Sequence, residues 1–200
     1  MILTNKIAKI TISFIRKNLS TSDEELEKID YGIKVLVSNF FKLVILFSTA
    51  YFLGILKYTA LAVIAFGIIR SFACGVHANS TLQCIIINYV WFFGNVYIAK
   101  FHPLSTLALF IILLISIVLF YFYAPADTAE RPLINKNLRK ALKISSIFTA
   151  LIFFVICLFI NNSIYKTIII YSIFQESLAV TPLFYKLLGK TYRNYSNIDL

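Results

Sequence analysis

The residues best suited to chemistry lie in a short polar segment, residues 70–84, between two long apolar stretches. This segment contains one of the two histidines, His77, and two of the three cysteines, Cys74 and Cys84. An imidazole can take the proton of a thiol and stabilise the resulting thiolate, which attacks acyl carbons. A thiol and an imidazole at the edge of membrane-spanning segments therefore suggest nucleophilic catalysis.

The spacing of His77 and Cys84 predicts a break in the helix between them. On an unbroken helix they would share a face but lie about 10.5 Å apart along the axis, whereas a general base must approach within about 3 Å. Ser80 starts a capping-box pattern, S-T-L-Q, that ends at Gln83. We expect a new helix to begin near Ser80, with Cys84 in its first turn. There the helix dipole favours a thiolate and unpaired N–H groups could bind an oxyanion. Gly75 leaves the preceding loop free to fold His77 back.

Structural roles for the same residues stay open at this point. A cysteine and a histidine seven residues apart occur often by chance, and Arg70 could mark topology, contact a lipid headgroup or clamp a substrate carboxylate. Asn88, one turn after Cys84, is more typical of a hydrogen bond between helices than of a third catalytic residue. The sequence has no HExxH motif, so no metal site is predicted.

The apolar composition predicts an all-α membrane protein. Sixty per cent of the residues are apolar and the mean hydropathy is +0.82, with runs that approach the roughly 20 residues of a spanning helix. We expect a polytopic bundle of about six transmembrane helices and, over residues 1–20, an N-terminal interfacial amphipathic helix. A single domain, residues 1–200, is expected, with the bundle in residues 22–200. The expected spans are residues 33–56, 58–69, 82–99, 104–123, 144–160 and 164–184.

Four charged residues fall inside the expected spans, and two of them, Lys34 and Lys166, lie near span ends. Lys42 is expected to face the interior of the bundle, and Glu176 is expected to pair with Lys42 rather than act as a functional carboxylate. Before the first span, Ser22 to Glu25 form a second capping-box pattern, which predicts a helix that begins near Ser22.

The distribution of basic residues predicts the orientation of the chain in the membrane. Of the 19 Lys and Arg residues, 15 lie in the N-terminal region, the turn after Arg70, the loop of residues 124–143 and the C-terminal tail. Because cytoplasmic loops carry the excess of basic residues, both termini and residues 70–84 are expected on the cytoplasmic side of the cell membrane. The net charge of +10 favours contact with anionic membrane lipids. Nucleic-acid binding is not expected, because the charges do not form a soluble recognition element.

The same residues resemble a known family. Arg70, the sequence Gly75-Val76-His77-Ala78 and Cys84, set between apolar spans, resemble the accessory gene regulator B (AgrB) family. Members usually show G-G-x-H-A, and here Cys74 replaces the first glycine. Tyr123-Ala124-Pro125, followed by Arg131-Pro132, is similar to the family's Y-A-P loop and its later basic-Pro dipeptide. The resemblance extends over nearly the whole chain in length, charge and order of spans.

This resemblance implies a specific function. It implies a membrane cysteine endopeptidase that processes the precursor of a quorum-sensing peptide, with Cys84 as nucleophile and His77 as its base. The implied partner is an AgrD-like peptide precursor, cleaved through a thioester and cyclised to a thiolactone. Arg70, Gly75, Ser80 and Gln83 would bind substrate or support the site. No cofactor is implied, and the family suggests a homodimer, in which His77 could act within one subunit or on the other.

Two other classes of function remain alternatives on the sequence alone. Six short spans with a polar segment could form a peptide exporter without covalent chemistry. A small membrane scaffold could instead present its basic face to a partner. Replacement of Cys84 separates these classes from a peptidase, because neither of them needs the thiol.

Overall fold

The computed structural model describes residues 11–13, 15–16, 22–76, 78, 80–129 and 131–197 of the chain. Over these residues the regular secondary structure is helical, and the described part contains no β-strand. The chain divides into two compact units, residues 1–49 and 50–200, and each is described by itself.

The first unit contains most of helix α1, Asp23–Phe52. The helix begins at the predicted capping box, because the Glu25 carboxylate accepts from the N–H of Ser22 at 3.1 Å and the Ser22 hydroxyl accepts from the N–H of Glu25 at 3.3 Å. Residues 11–13 and 15–16 are helical, and the rest of the predicted amphipathic helix, residues 1–20, lies outside the described residues.

Six further helices form the second unit. They are α2 (Leu56–Ala73), α3 (Thr81–Phe101), α4 (Thr106–Tyr123), α5 (Lys136–Phe159), α6 (Ser163–Ala179) and α7 (Pro182–Leu187). A π-helical turn, Tyr89–Phe93, interrupts α3, and a 3₁₀ turn, Asn194–Asn197, follows α7.

Within the described residues, α1 to α5 are long and apolar enough to cross a membrane. The predicted second span, residues 58–69, is extended at both ends, since α2 runs from Leu56 to Ala73. The predicted sixth span, residues 164–184, was too long. Helix α6 ends at Ala179 because Thr181 caps a new helix with Pro182 at its first position. With 17 residues and about 1.5 Å of rise per residue, α6 reaches about 26 Å, close to the lower limit for a spanning helix.

Helix α6 is the centre of the second unit. It packs against α2, α3, α4 and α5 and contributes nine buried residues, more than the other helices of the described chain. Large apolar side chains on the outer faces of α2, α4 and α5, such as Ile64, Leu107 and Phe148, are exposed. An apolar exterior around a packed centre is what a bilayer requires of a bundle.

A polar network fixes α3 against α6. The amide nitrogen of Asn95 lies within hydrogen-bond distance of Ser172 Oγ at 3.0 Å, the Ile168 carbonyl at 3.2 Å and Gln175 Oε1 at 3.3 Å. The side-chain nitrogen of Gln175 donates to the carbonyl of Trp91 at 2.8 Å, within the π-helical turn. Hydrogen bonds of this kind join helices where hydrophobic packing alone does not select a register. They hold α3, which carries Cys84 near its start, in a defined register on α6.

Candidate active site

The polar segment begins where the backbone of α2 turns sharply. Cys74 has φ 63° and ψ −125°, and Gly75 has φ 111°, so the helix ends at Ala73. Two main-chain hydrogen bonds then hold the segment to the loop after α4: Ala126 N–H donates to Ala73 O at 3.0 Å, and Gly75 N–H donates to Ala126 O at 2.8 Å. The loop that the Y-A-P resemblance singled out therefore lies directly beside the start of the candidate site.

Gly75 occupies a position that a larger residue would not fit. A Cβ placed there would come within 3.3 Å of an Arg70 guanidinium nitrogen, 3.3 Å of Glu176 Oε1 and 3.5 Å of the Ala179 carbonyl oxygen. Its φ also lies in the region that side chains disfavour. The glycine is therefore required both by backbone conformation and by the close approach of α6.

An ion pair next to Gly75 joins the segment to the central helix. Arg70 NH1 donates to Glu176 Oε2 at 3.0 Å, and Arg70 NH2 donates to the Val76 carbonyl at 2.6 Å. The Glu176 side chain is fully buried, and that of Arg70 is 22% exposed. The prediction that Glu176 pairs with Lys42 is wrong. The Lys42 ammonium instead donates to Asn39 on its own helix at 3.4 Å.

Arg70 therefore acts as a structural tie in this structure. Two of its five N–H groups, one on each terminal nitrogen, bind groups of the protein, one on α6 and one in the segment itself. This arrangement fits the supporting role predicted for Arg70 better than the role of a substrate clamp, since both terminal nitrogens already donate within the protein.

Cys84 lies at the start of α3, as the capping box predicts. Ser80 is the N-cap, with its hydroxyl accepting from the N–H of Gln83 at 3.2 Å, and Ala78 and Ser80 are not helical. The N–H of Cys84 donates to the Ser80 carbonyl at 3.0 Å, so Cys84 itself supplies the first main-chain bond of the helix. The donors that this pattern leaves for a developing oxyanion are the N–H groups of Thr81 and Leu82.

The thiol of Cys84 is half-buried and has one polar contact that the sequence did not favour. The amide nitrogen of Asn88 lies 4.0 Å from Cys84 Sγ, one helical turn away. The i, i+4 spacing was the signal for this contact. The Asn88 amide therefore contacts the thiol at the outer limit for a hydrogen bond to sulfur.

His77 and Asn79 lie outside the described residues, so the approach of the imidazole to Cys84 stays a prediction. The other two cysteines are free and differ in environment: Cys157 is buried in α5, and Cys74 is half-buried. Burial raises the pKa of the Cys74 thiol above its usual value, which keeps it protonated and a poor nucleophile near neutral pH. In the described part of the chain, no three His, Cys, Asp or Glu residues come together as metal ligands could.

A second layer of contacts supports the loop that holds Gly75. The buried Asp127 carboxylate accepts three main-chain N–H groups, from Leu133, Asn194 and Tyr195, at 3.3, 2.9 and 2.7 Å. The Tyr185 hydroxyl donates to the Asp127 carbonyl at 2.6 Å. Burial raises the pKa of Tyr185, so this hydroxyl remains a donor. No role for Asp127 was predicted from the sequence.

The chain is similar in sequence to known proteins. The sequence model of the Accessory gene regulator B family matches residues 7–180. The chain belongs to the AgrB family. It is 34% identical over 197 residues to a putative AgrB-like protein of Clostridium acetobutylicum, covering 97% of this chain and 93% of that protein. It is 31% identical to a putative AgrB-like protein of Listeria innocua, over 98% of this chain and all of the relative.

A third relative carries the family name itself. Accessory gene regulator protein B of Staphylococcus saprophyticus is 31% identical over 165 residues, covering 80% of this chain and 86% of that protein. No solved structure matches the chain. AgrB proteins are membrane proteins of the accessory gene regulator system, so this AgrB-family chain has a role in quorum sensing. The match ends before Asn194 and Tyr195, which bind Asp127.

The strained backbone at Cys74 gives a stability prediction. Replacing Cys74 by glycine should raise the free energy of unfolding by about 1 kcal/mol, because the strain of about 1–3 kcal/mol exceeds the added entropy of the unfolded chain, about 1 kcal/mol. Thermal unfolding of the purified protein in detergent measures the change. Cys74→Ala is the matched control, since it removes the thiol and keeps the Cβ, and it should not stabilise. Equal stability of both variants would contradict the strain.

The buried ion pair gives a second prediction, on coupling. Arg70→Ala should destabilise by about 3 kcal/mol or more, because it leaves the Glu176 carboxylate buried without a partner. Adding Glu176→Gln to Arg70→Ala should recover part of that loss, so the two substitutions should not be additive. Unfolding temperatures of the wild type, both single variants and the double variant measure the coupling. Additive losses would show that the two side chains act independently.

Proposed function

We propose that this protein is a membrane cysteine endopeptidase that processes an AgrD-like peptide precursor. The observation that supports this most directly is the start of α3. There the Ser80 cap places Cys84 at the beginning of a helix, immediately after a segment that Arg70 and Gly75 hold in position. The Asn88 amide beside the sulfur supports the same role, because it orients the thiol.

In the proposed first step the Cys84 thiol gives its proton to His77, and the sulfur bonds to a carbonyl carbon of the precursor. The C–N bond of that peptide bond then breaks. The amine of the released tail takes the proton from His77, and the rest of the precursor stays on Cys84 as a thioester. The N–H groups of Thr81 and Leu82 are the proposed donors to the oxyanion.

In the proposed second step a cysteine within the precursor attacks the thioester carbon. Its thiol proton passes through His77 to the Cys84 sulfur as the acyl–Cys84 bond breaks, and a new C–S bond closes a thiolactone ring. In this step one C–S bond replaces another and one S–H bond replaces another, so no cofactor or oxidant is required. Limited access of water at the membrane surface would favour ring closure over hydrolysis.

The proposed setting follows from the charges. A precursor with an acidic tail would be concentrated at the basic face of the protein, which carries 15 of the 19 Lys and Arg residues. We place this face and both termini in the cytoplasm, and α6 as a sixth spanning helix. We also propose a homodimer in contact with membrane lipids, with the peptide precursor as partner and no nucleic acid involved.

Replacement of the thiol tests the proposed function. Cys84→Ala should abolish cleavage of a co-expressed precursor and leave membrane insertion unchanged, because the nucleophile is lost. Cys157→Ser is the matched control and should retain most activity, since that thiol is buried in α5. Immunoblotting of the precursor and mass spectrometry of the ring measure both. Normal processing by Cys84→Ala would exclude the peptidase and favour an exporter or a scaffold.

The orientation is tested by cysteine labelling. In a chain whose own cysteines are replaced by serine, Asn137→Cys should react with a membrane-impermeant maleimide only after the cells are permeabilised. Asn161→Cys, in the exposed link between α5 and α6, should react from outside, because one spanning helix separates the two positions. Labelling of both positions from the same side would contradict the six-span arrangement.

A further inference from the structure

A basic cavity of about 260 Å³ lies where α4 ends and α5 begins. Four cationic side chains line it: Arg139, Lys140 and Lys143 on α5, and Arg193 after α7. Its aromatic lining comes from the end of α4 and from the C-terminal segment. The cavity is separate from the start of α3, and Cys84 is not among its lining residues.

The positive charge of this cavity is only partly compensated within the described residues, because four cations and one carboxylate line it. Asp127 is its one acidic lining residue, and three main-chain N–H groups already bind that carboxylate. Over residues 22–76, 80–129 and 131–197, none of the four cations lies within ion-pair distance of an acidic side chain. Four cations around one small volume repel one another, so a bound anion would stabilise the arrangement.

One of the cations is held rigidly. The Arg139 guanidinium lies 4.0 Å from the centre of the Tyr195 ring and donates to the carbonyls of Leu133 at 2.6 Å and Ile134 at 2.9 Å. Lys140 is exposed, and Lys143 is half-buried with its ammonium 5.5 Å from the centre of the Tyr121 ring. A guanidinium beside two ammonium groups suits a phosphate, which accepts hydrogen bonds from several directions.

The residues that flank the cavity are of the types found at the depth of lipid headgroups. Helix α4 is apolar up to Tyr123, and near its end Tyr121 and Phe122 are 59% and 60% exposed. Helix α5 has its basic residues in its first turns and is apolar from Ile144 onward. Aromatic and basic residues at the ends of spanning helices mark the boundary of the hydrocarbon layer.

From the excess of positive charge in the lining and this position, we infer that the cavity binds the phosphate group of an anionic phospholipid. Its volume is below the roughly 300–1,000 Å³ of pockets for larger ligands and fits a headgroup. The exposed Tyr121 and Phe122 side chains next to it provide an apolar surface for the acyl chains. This site does not depend on the proposed peptidase chemistry, because it contains none of the residues of that site.

A pair of double variants tests the inference. In Lys140→Gln/Lys143→Gln two charges of the cavity are removed. In the control Lys136→Gln/Lys186→Gln two charges outside the lining are removed. Full-length proteins are placed in nanodiscs of phosphatidylcholine with increasing phosphatidylglycerol, and bound lipid and unfolding temperature are measured. We expect the apparent affinity for phosphatidylglycerol to fall by about tenfold or more in the cavity variant only.

The other outcomes distinguish the source of the phosphate and the class of ligand. Inorganic phosphate at millimolar concentration should stabilise the wild type less than phosphatidylglycerol does, and equal stabilisation would identify a free-anion site instead. If both double variants lose the same affinity for phosphatidylglycerol, the effect is due to surface charge in general and the inference is overturned. The inference would also be overturned if the protein bound an acidic peptide through Lys140 and Lys143 and showed no preference for phosphatidylglycerol.

Discussion

The ion pair between Arg70 and Glu176 is the interaction on which the candidate site depends. A fully buried carboxylate is strongly disfavoured in an apolar bundle unless a cation and hydrogen bonds compensate it. Arg70 supplies the cation and one hydrogen bond, to Glu176 Oε2, and also binds the Val76 carbonyl, so this ion pair holds the segment that leads to His77. Through Glu176, helix α6 therefore holds this segment in position.

This interaction imposes further requirements on the chain around it. The approach of Arg70 and Glu176 leaves no room for a Cβ at Gly75. The N–H of Gly75 is bound by Ala126, and the neighbouring Asp127 ties the same loop to Asn194 and Tyr195. The C-terminal segment therefore supports the polar segment indirectly, although the two are more than 100 residues apart in sequence.

The sequence predicted the parts of this structure that depend on neighbouring residues. Both capping boxes were found because their hydrogen bonds join residues three apart, and the helix break before Cys84 follows from the second box. The partner of Glu176 was missed because the choice between Lys42 and Arg70 depends on how distant helices pack. The π-helical turn in α3 was not predicted, because contacts between helices stabilise it. The end of α6 at Ala179 was not predicted either, although a nearby proline sets it.

Two consecutive residues of α6 connect the two sides of the candidate site. Gln175 binds the Trp91 carbonyl in α3, the helix that carries Cys84, and Glu176 binds Arg70 at the end of α2, before His77. Consecutive residues on a helix point about 100° apart, so the two side chains reach two different neighbours from one level of α6. A rotation of α6 would move both contacts together. The end of α2 and the start of α3 are therefore both held by one rigid element, α6, in addition to the segment that joins them in sequence.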